Sequence, residues 1–408
     1  MGNARQPLKS IQAGITGAVH GGGLAVRAGV YAEEVLLDRS IRLSLEGGEV
    51  TVNAFTTEVG TELDLAGRLV SIGDIEIDGS SLLRENFTLD TRSASLSIRF
   101  GGVIQGNTPE GENFEIQAGD GNVVVGDIGK TVALGDMVVS AGVYDASGST
   151  TNVRSLTVNG EQIDVGDSTV NASGNVTLSG TNVSGTINGA SVTVNATASA
   201  TTQVSATTQA TVTAQNVTAQ VTAPKVQVTA SQQATVQVQA TSQAVVAAPT
   251  VVASVTAPQA AVAAEKMQLE ANVGKLTVQA DIGEINGNIG DLTLTDESGV
   301  LIVNGRAEVP DRPTTGQNQA LFAPESQVAP VTVTGTANSP AGQTFGSGSA
   351  GSPFKNPYAL GYVLEVSELS TVREAPGAAE EEKLEQFFGD FWDYYYPKEI
   401  TIEWKEPG

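Results

Sequence analysis

Apolar residues recur two apart along much of this chain, as at Ile41, Leu43 and Leu45 or at Ile75 and Ile77. Successive side chains of an extended backbone point to opposite faces, so this spacing gives one apolar and one polar face and predicts β-strands. From about residue 10 to 165 the runs AVRAGVYAEEV, RLSLEGGEVTVNAF, LDLAGRLVSIGDIEIDG and SLSIRFGGVIQG are broken by Gly, Asp and Asn. Those residues mark turns, and no helical period lies between one run and the next. The pattern predicts strand after strand joined by short corners.

From Ser168 to Ala264 the alternation is stricter, and Lys225 is the single charged residue. Val pairs at 192/194, 226/228 and 236/238 are followed by Ala at 196, 230 and 240. The last two triplets are ten residues apart and other Val-Thr-Ala phrases fall closer, which reads as a repeat without a fixed period. Val and Ala take one face, while Thr, Gln, Asn and Ser take the other. Pro224, Pro249 and Pro258 each follow an Ala and fit corners, where a missing N–H is tolerated.

Low charge also suits a disordered linker, but dense β-branched residues in strict alternation argue for ordered strands. A flat sandwich of such strands would leave edges open to aggregation. A coil of parallel strands instead stacks like over like, so that Thr, Asn and Gln pair from rung to rung, whereas equal charges there would repel.

Composition narrows the role. The 408 residues are 40% hydrophobic but only 5% aromatic, a mixture suited to narrow, regular layers. With 45 acidic and 21 basic residues the net charge is −24, which opposes contact with nucleic acid or an anionic membrane surface. There is no Cys, so thiolate metal sites and Cys nucleophiles are excluded. No apolar run is long enough for a spanning helix, which argues against membrane insertion. The opening MGNARQPLKSIQAGITGAVHGGG lacks the continuous apolar segment of a secretory signal, and the chain is read as part of a longer protein.

Candidate chemistry is sparse. His20 begins HGGG, similar to an oxyanion-hole motif, but no G-x-S-x-G supplies a nucleophile, and the glycines are read as a turn. The acids in GDIG, GDMV, VGDS and IGDL are spread singly at turns. Convergent carboxylates for glycoside cleavage are not evident, nor is the calcium-binding nonapeptide pattern. The expectation is therefore a non-catalytic chain with no cofactor and no metal site. The N-x-[ST] sequences at Asn86, Asn171, Asn175, Asn182, Asn195 and Asn216 are expected from composition alone.

Five segments follow: 1–167, a solenoid with Gly/Asp turns; 168–264, the uncharged repeat; 265–305, the solenoid end; 306–353, a Pro/Gly/Ser-rich connection; and 354–408, an acidic aromatic segment. From Gly351 onward lie 11 of the 19 aromatic residues. Leu384, Phe387, Phe388, Phe391 and Tyr395 have helical spacing, Pro397 ends that helix, and Ile400, Ile402 and Trp404 alternate as a strand. Phe387, Phe388, Phe391, Trp392, Tyr394, Tyr395, Tyr396 and Trp404 are the candidate capping or partner-binding residues.

Runs such as LEGGEVTVNAF, DLAGRLVSIGDIEIDGSSL, GDGNVVVGDIG and STVNASGNVTLSGTNVSGTINGASVTVNA resemble the repeats of filamentous-haemagglutinin-type secreted proteins over about residues 1–305. The resemblance implies a right-handed parallel β-helix, export across an outer membrane, and adhesion to surfaces or other cells. The family's N-terminal secretion domain with its Asn-Pro-Asn motifs is missing; the only Asn-Pro is Asn356-Pro357.

The resulting expectation is an all-β parallel β-helix (β-solenoid) with a small C-terminal helix-plus-strand cap or tail. Its expected role is that of an extracellular or cell-surface structural or adhesive stalk. The partners would be a host or neighbouring-cell surface, or further copies of the chain. Two alternatives are an intertwined trimeric shaft of the phage tail-spike kind and an ice-binding ladder of Thr. In the trimer the Val side chains would meet on a shared axis; in the solenoid they fill the chain's own interior.

Overall fold

The computed structural model describes residues 8–39, 41–93, 95–295, 300–308 and 319–322. The chain divides into two compact units, Met1–Thr277 and Val278–Gly408. The fold is an all-parallel β-solenoid, as the alternation predicts.

In the first unit, residues 23–188 form a three-walled coil. One wall stacks the first part of Gly23–Val30 on the first part of Arg42–Val52, then Glu62–Ser71 and Ser80–Asp90. Beyond a corner the same strands enter a second wall, continued by Phe114–Gln117, Leu134–Ser140 and Thr150–Asn159. The third wall stacks Glu34–Leu37, Ala54–Thr57, Ile75–Ile77, Ile98–Phe100, Asn122–Val125, Val143–Asp145 and the start of Gln162–Ala172.

Each wall turns one apolar column inward. In the second wall Val50, Leu69, Leu89, Ile116, Val139, Val158 and Leu178 stand one above another. In the third the column is Val35, Phe55, Ile75, Ile98, Val123, Tyr144, Ile163 and Val183. All of these are buried. Corners keep the ladder unbroken: Gly142 N–H donates to Gly121 C=O, and Glu161 N–H donates to Gly142 C=O. A Cβ on Gly142 would lie 2.3 Å from the Asp120 carbonyl oxygen, so only glycine fits at that height.

Coil length varies along the stack. Most three-walled coils advance by about twenty residues, for example from Leu156 to Val176. Between Phe87 and Phe114 the step is 27 residues. The additional residues lie in corners, around 91–97 and 107–113; in the interior Phe87 and Phe114 stack with centroids 6.2 Å apart, and Phe100 meets Phe114 edge-on at 5.7 Å.

The uncharged tract coils more tightly and with two walls. Inward residues come in alternate runs of three and four: Ala210, Val212, Ala214; then Val217, Ala219, Val221, Ala223; then Val226, Val228, Ala230; then Ala234, Val236, Val238, Ala240. Gln215-Asn216 and Ser231-Gln232-Gln233 between the runs are exposed corners. Val236 pairs with Ala253 and Val238 with Val255, seventeen residues on, while Val246 pairs with Val262 after sixteen. The triplets at 226–230 and 236–240 therefore belong to successive runs on opposite walls of one coil. The repeat that looked irregular has a nearly constant period of two runs. Pro249 occupies the break between the strands Asn175–Ala247 and Thr250–Leu294, and Pro224 and Pro258 also fall at corners.

The valines close onto their own chain; Val212, Val228 and Val246 are each 0% exposed. That is the solenoid arrangement and not the shared axis of an intertwined trimer. The opening segment departs from the expected run of strands. Ile11–Gly17 is a helix, with Ser10 as N-cap accepting the Ala13 N–H through its side chain. Ile11 and Ile15 are buried, so a helical cap lies at this end, where alternation alone gave no sign of one. The HGGG sequence is a turn, with Gly21 at φ +72° and Gly22 N–H donating to Val19 C=O.

In the second unit residues 282–291 pair with Val300–Glu308, which pairs in turn with Gln319–Phe322. The last of these falls within residues 306–353, read from composition as a connection. Ile285, Ile289, Leu292, Leu301 and Val303 are buried there. The residues Phe387, Phe388, Phe391, Trp392, Tyr394, Tyr395, Tyr396 and Trp404 lie outside the described residues.

Candidate functional site

Outward positions stack as regularly as inward ones, and in the first coils they stack opposite charges. Arg42 stands opposite Glu62, Glu49 opposite Arg68, and Glu76 opposite Arg99. Arg99 Nη1 lies 2.8 Å from Glu76 and 2.6 Å from Asp78; Arg84 Nε is 3.2 Å from Asp64. Such cross-strand pairs contribute roughly 0.2–1 kcal/mol each. Acidic residues on the strands of the first coils are thus organised into columns with basic ones. A basic residue about twenty positions from an acid was the available signal, and it becomes legible only once the coil length is known.

The tightest cluster surrounds Asp90, which is 5% exposed. Its carboxylate accepts from the Arg92 backbone and guanidinium and from Arg68. Burial pushes the carboxyl up, but the hydrogen bonds from Arg92 and Arg68 outweigh it and hold the pKa at about 2.

The longer coil carries the most elaborate corner, residues 106–113. The Glu112 carboxylate turns back into it, accepting from Asn107 N–H at 2.9 Å, Thr108 N–H at 3.0 Å and the Thr108 hydroxyl at 2.8 Å. Burial opposes the charged form, yet these donors hold its pKa below the usual carboxylate range. Arg154 grips Asp136 through two nitrogens, at 2.9 and 2.5 Å, and donates to the Glu110 carbonyl at 3.1 Å. Hydrogen bonding from Arg154 and Ser155 lowers the Asp136 pKa. Glu110 adopts φ +57°, a left-handed conformation uncommon outside glycine. The loop is a firmly braced projection with Thr108, Pro109 and Gly111 exposed at its tip. The Glu112 carboxylate is engaged by donors on its own loop, and Asp136 by Arg154 and Ser155 on the adjacent strand.

Further along, the charged columns give way to neutral ones. Asn188 donates to Asn171 and Asn171 to Asn152, each at 3.0 Å, and Asn152 donates to Gly129 C=O at 3.1 Å. Ser199 donates to Asn182 at 2.6 Å and Asn182 to Gln162 at 3.2 Å. These are the rung-to-rung polar ladders expected of stacked like residues. In the second unit Asn304 bonds Asn286 and Glu284 in the same way.

On the third wall Val143, Asp145, Gln162, Asp164, Asn182 and Ser184 line a shallow groove. Asp145 and Asp164 face each other across adjacent rungs. Asp145 accepts from Ser147 N–H, and Asp164 accepts from Gly166 N–H and the Ser184 hydroxyl. Of the Asp-containing turns, Asp127 is bonded by Lys130 and by Thr150 N–H, which lower its pKa. Among the described residues no three His, Asp or Glu side chains form a metal-holding group, and no helix is long and apolar enough to cross a membrane.

The outward Thr columns are interrupted. Thr235 stands opposite Val252, and Val245 and Ala247 stand opposite Ala261 and Ala263. A flat two-dimensional Thr array of the ice-binding kind does not form on these rungs. No family model, curated protein or solved structure matches the chain.

Proposed function

We propose that this chain is a structural or adhesive stalk of a secreted or surface-displayed bacterial protein. The observation that carries the reading is the match between successive rungs on the outside of the coil, by ion pairs in the first coils and by amide and hydroxyl ladders in those that follow. Side-chain matching of that kind holds neighbouring coils in one register, and stacked repeats then behave as a stiff column. Many of the charged groups around residues 84–154 are engaged by ion pairs or by hydrogen-bond donors on the same or an adjacent coil, which favours support over catalysis. Adhesion belongs to projecting corners or to the aromatic C-terminal segment.

Small-angle scattering on the purified chain tests the stalk. A rod-like profile with a narrow cross-section is expected, and the dimensions of a random coil or of a sphere of equal mass would overturn it. Alanine at Phe391, Trp392, Tyr394, Tyr395 and Trp404 tests adhesion separately. Attachment to cells should fall while circular dichroism of the β-structure is unchanged; equal attachment by the variant would remove the tail from the mechanism.

A further inference from the structure

The first coil has a rim with no coil beneath it among the described residues. A strand there has backbone donors and acceptors pointing away from its neighbour, and such an edge is a template for a strand from another chain. In this protein side chains occupy some of those positions. The Gln12 amide bonds both backbone groups of Leu36, accepting from its N–H at 2.7 Å and donating to its C=O at 3.1 Å. Those are the two bonds that one residue of an added strand would make. The Tyr31 hydroxyl donates to the Arg27 carbonyl at 3.0 Å.

The helix carrying Gln12 is pinned from both sides. The Glu33 carboxylate accepts from Ser10 Oγ and from Ile11 N–H, both at 2.5 Å. Ile11 and Ile15 are 3% and 0% exposed. Gly14 lies so close to the coil that a Cβ would come within 2.9 Å of both Leu24 methyl carbons.

We propose that the helix Ile11–Gly17, with Gln12, Tyr31 and Glu33, is an end stop that keeps two copies of this chain from joining rim to rim. The occupant it excludes is a second copy bearing the same rim. Without the helix, that copy offers the same unpaired backbone and the same apolar residues, Val26, Val35 and Leu37. Pairing of identical rims about a twofold axis closes on itself and gives a dimer, not a fibre.

The test compares the wild-type chain with an Ile11→Asp/Ile15→Asp variant, which undocks the helix, by mass photometry across a range of concentrations. The expected result is a concentration-dependent doubling of the wild-type particle mass, with backbone amides of residues 23–30 more protected from hydrogen exchange in the doubled species. A variant that retains its β-structure and keeps the wild-type mass overturns the proposal. Should that variant lose its β-structure, Gln12→Leu decides, because it leaves the apolar plug and removes only the two bonds to Leu36. Weaker doubling on this variant supports the end stop, and an unchanged mass overturns it.

Discussion

Thr202 is a polar residue at an inward position of the uncharged tract, where its neighbours are apolar. It is 6% exposed, between buried Ala200 and Val204, and its hydroxyl finds no partner among the described residues. A buried hydroxyl without a hydrogen bond costs about 1–3 kcal/mol. Valine has nearly the same shape and no such group, so Thr202→Val should stabilise the coil by about 1–2 kcal/mol. Its neighbour Thr201 points outward and is exposed, and Thr201→Val should change stability by less than about 0.5 kcal/mol. Because stacked coils need not unfold together, the measurement should be local. Native-state hydrogen exchange of residues 200–206 should slow roughly tenfold for Thr202→Val, as 1.4 kcal/mol is tenfold in an opening equilibrium. Unchanged or faster exchange, or an equal effect from Thr201→Val, would refute the assignment of inward and outward faces on this rung.

Two further predictions concern charge. Asp90 has its carboxyl lowered from 3.8 to about 2 in the folded chain, so its stabilisation is present above pH 4 and is lost as pH falls toward 2. With Arg92 half-exposed, the contribution at neutral pH is about 1–2 kcal/mol; acid titration of urea unfolding should show a shallower loss between pH 4 and 2 for Asp90→Asn, and an unchanged slope would contradict the pairing. On the neutral wall, Gln237 stands opposite Ser254. Gln237→Glu with Ser254→Glu should be destabilising relative to Gln237→Glu with Ser254→Lys, by roughly 0.5–1 kcal/mol in a double-mutant cycle at low salt, and no difference would show that these side chains are not neighbours.

The alternation, the corner prolines and the inward Val/Ala face were legible in the residues because a strand's two-residue period is local. Coil length is not local. Val226 and Val236 look like successive repeats, yet they sit on opposite walls, and only the pairing of Val236 with Ala253 reveals the step. The Glu49–Arg68 and Glu76–Arg99 pairs were hidden for the same reason, since each needs a spacing that changes from coil to coil. The helix at Ile11–Gly17 is too short for a strong periodic signal; Ser10 as a cap with Ile11 and Ile15 four apart was the cue available. Phe87, Phe100 and Phe114 sat within ordinary strand patterns, and nothing local showed that their rings meet in the interior.

The two halves of the coil apply one constraint in opposite ways. In a stack of parallel strands each outward side chain meets the residue one coil later. Where the sequence repeats, it meets a copy of itself. A neutral amide can both donate to and accept from its copy, as Asn152, Asn171 and Asn188 do, whereas a charged group would meet its own repulsion. Where coil length varies, a residue meets a different type, and Glu can be set over Arg. Repetition and charge are therefore competing routes to a matched column, which explains why the segment with the most repeated phrases is also the one with a single charge, Lys225. Lys225 lies at an exposed corner beside Pro224, off the walls where columns form. On this argument the low complexity of the tract follows from stacking: a long column of equal rungs requires residues that tolerate their own copies above and below.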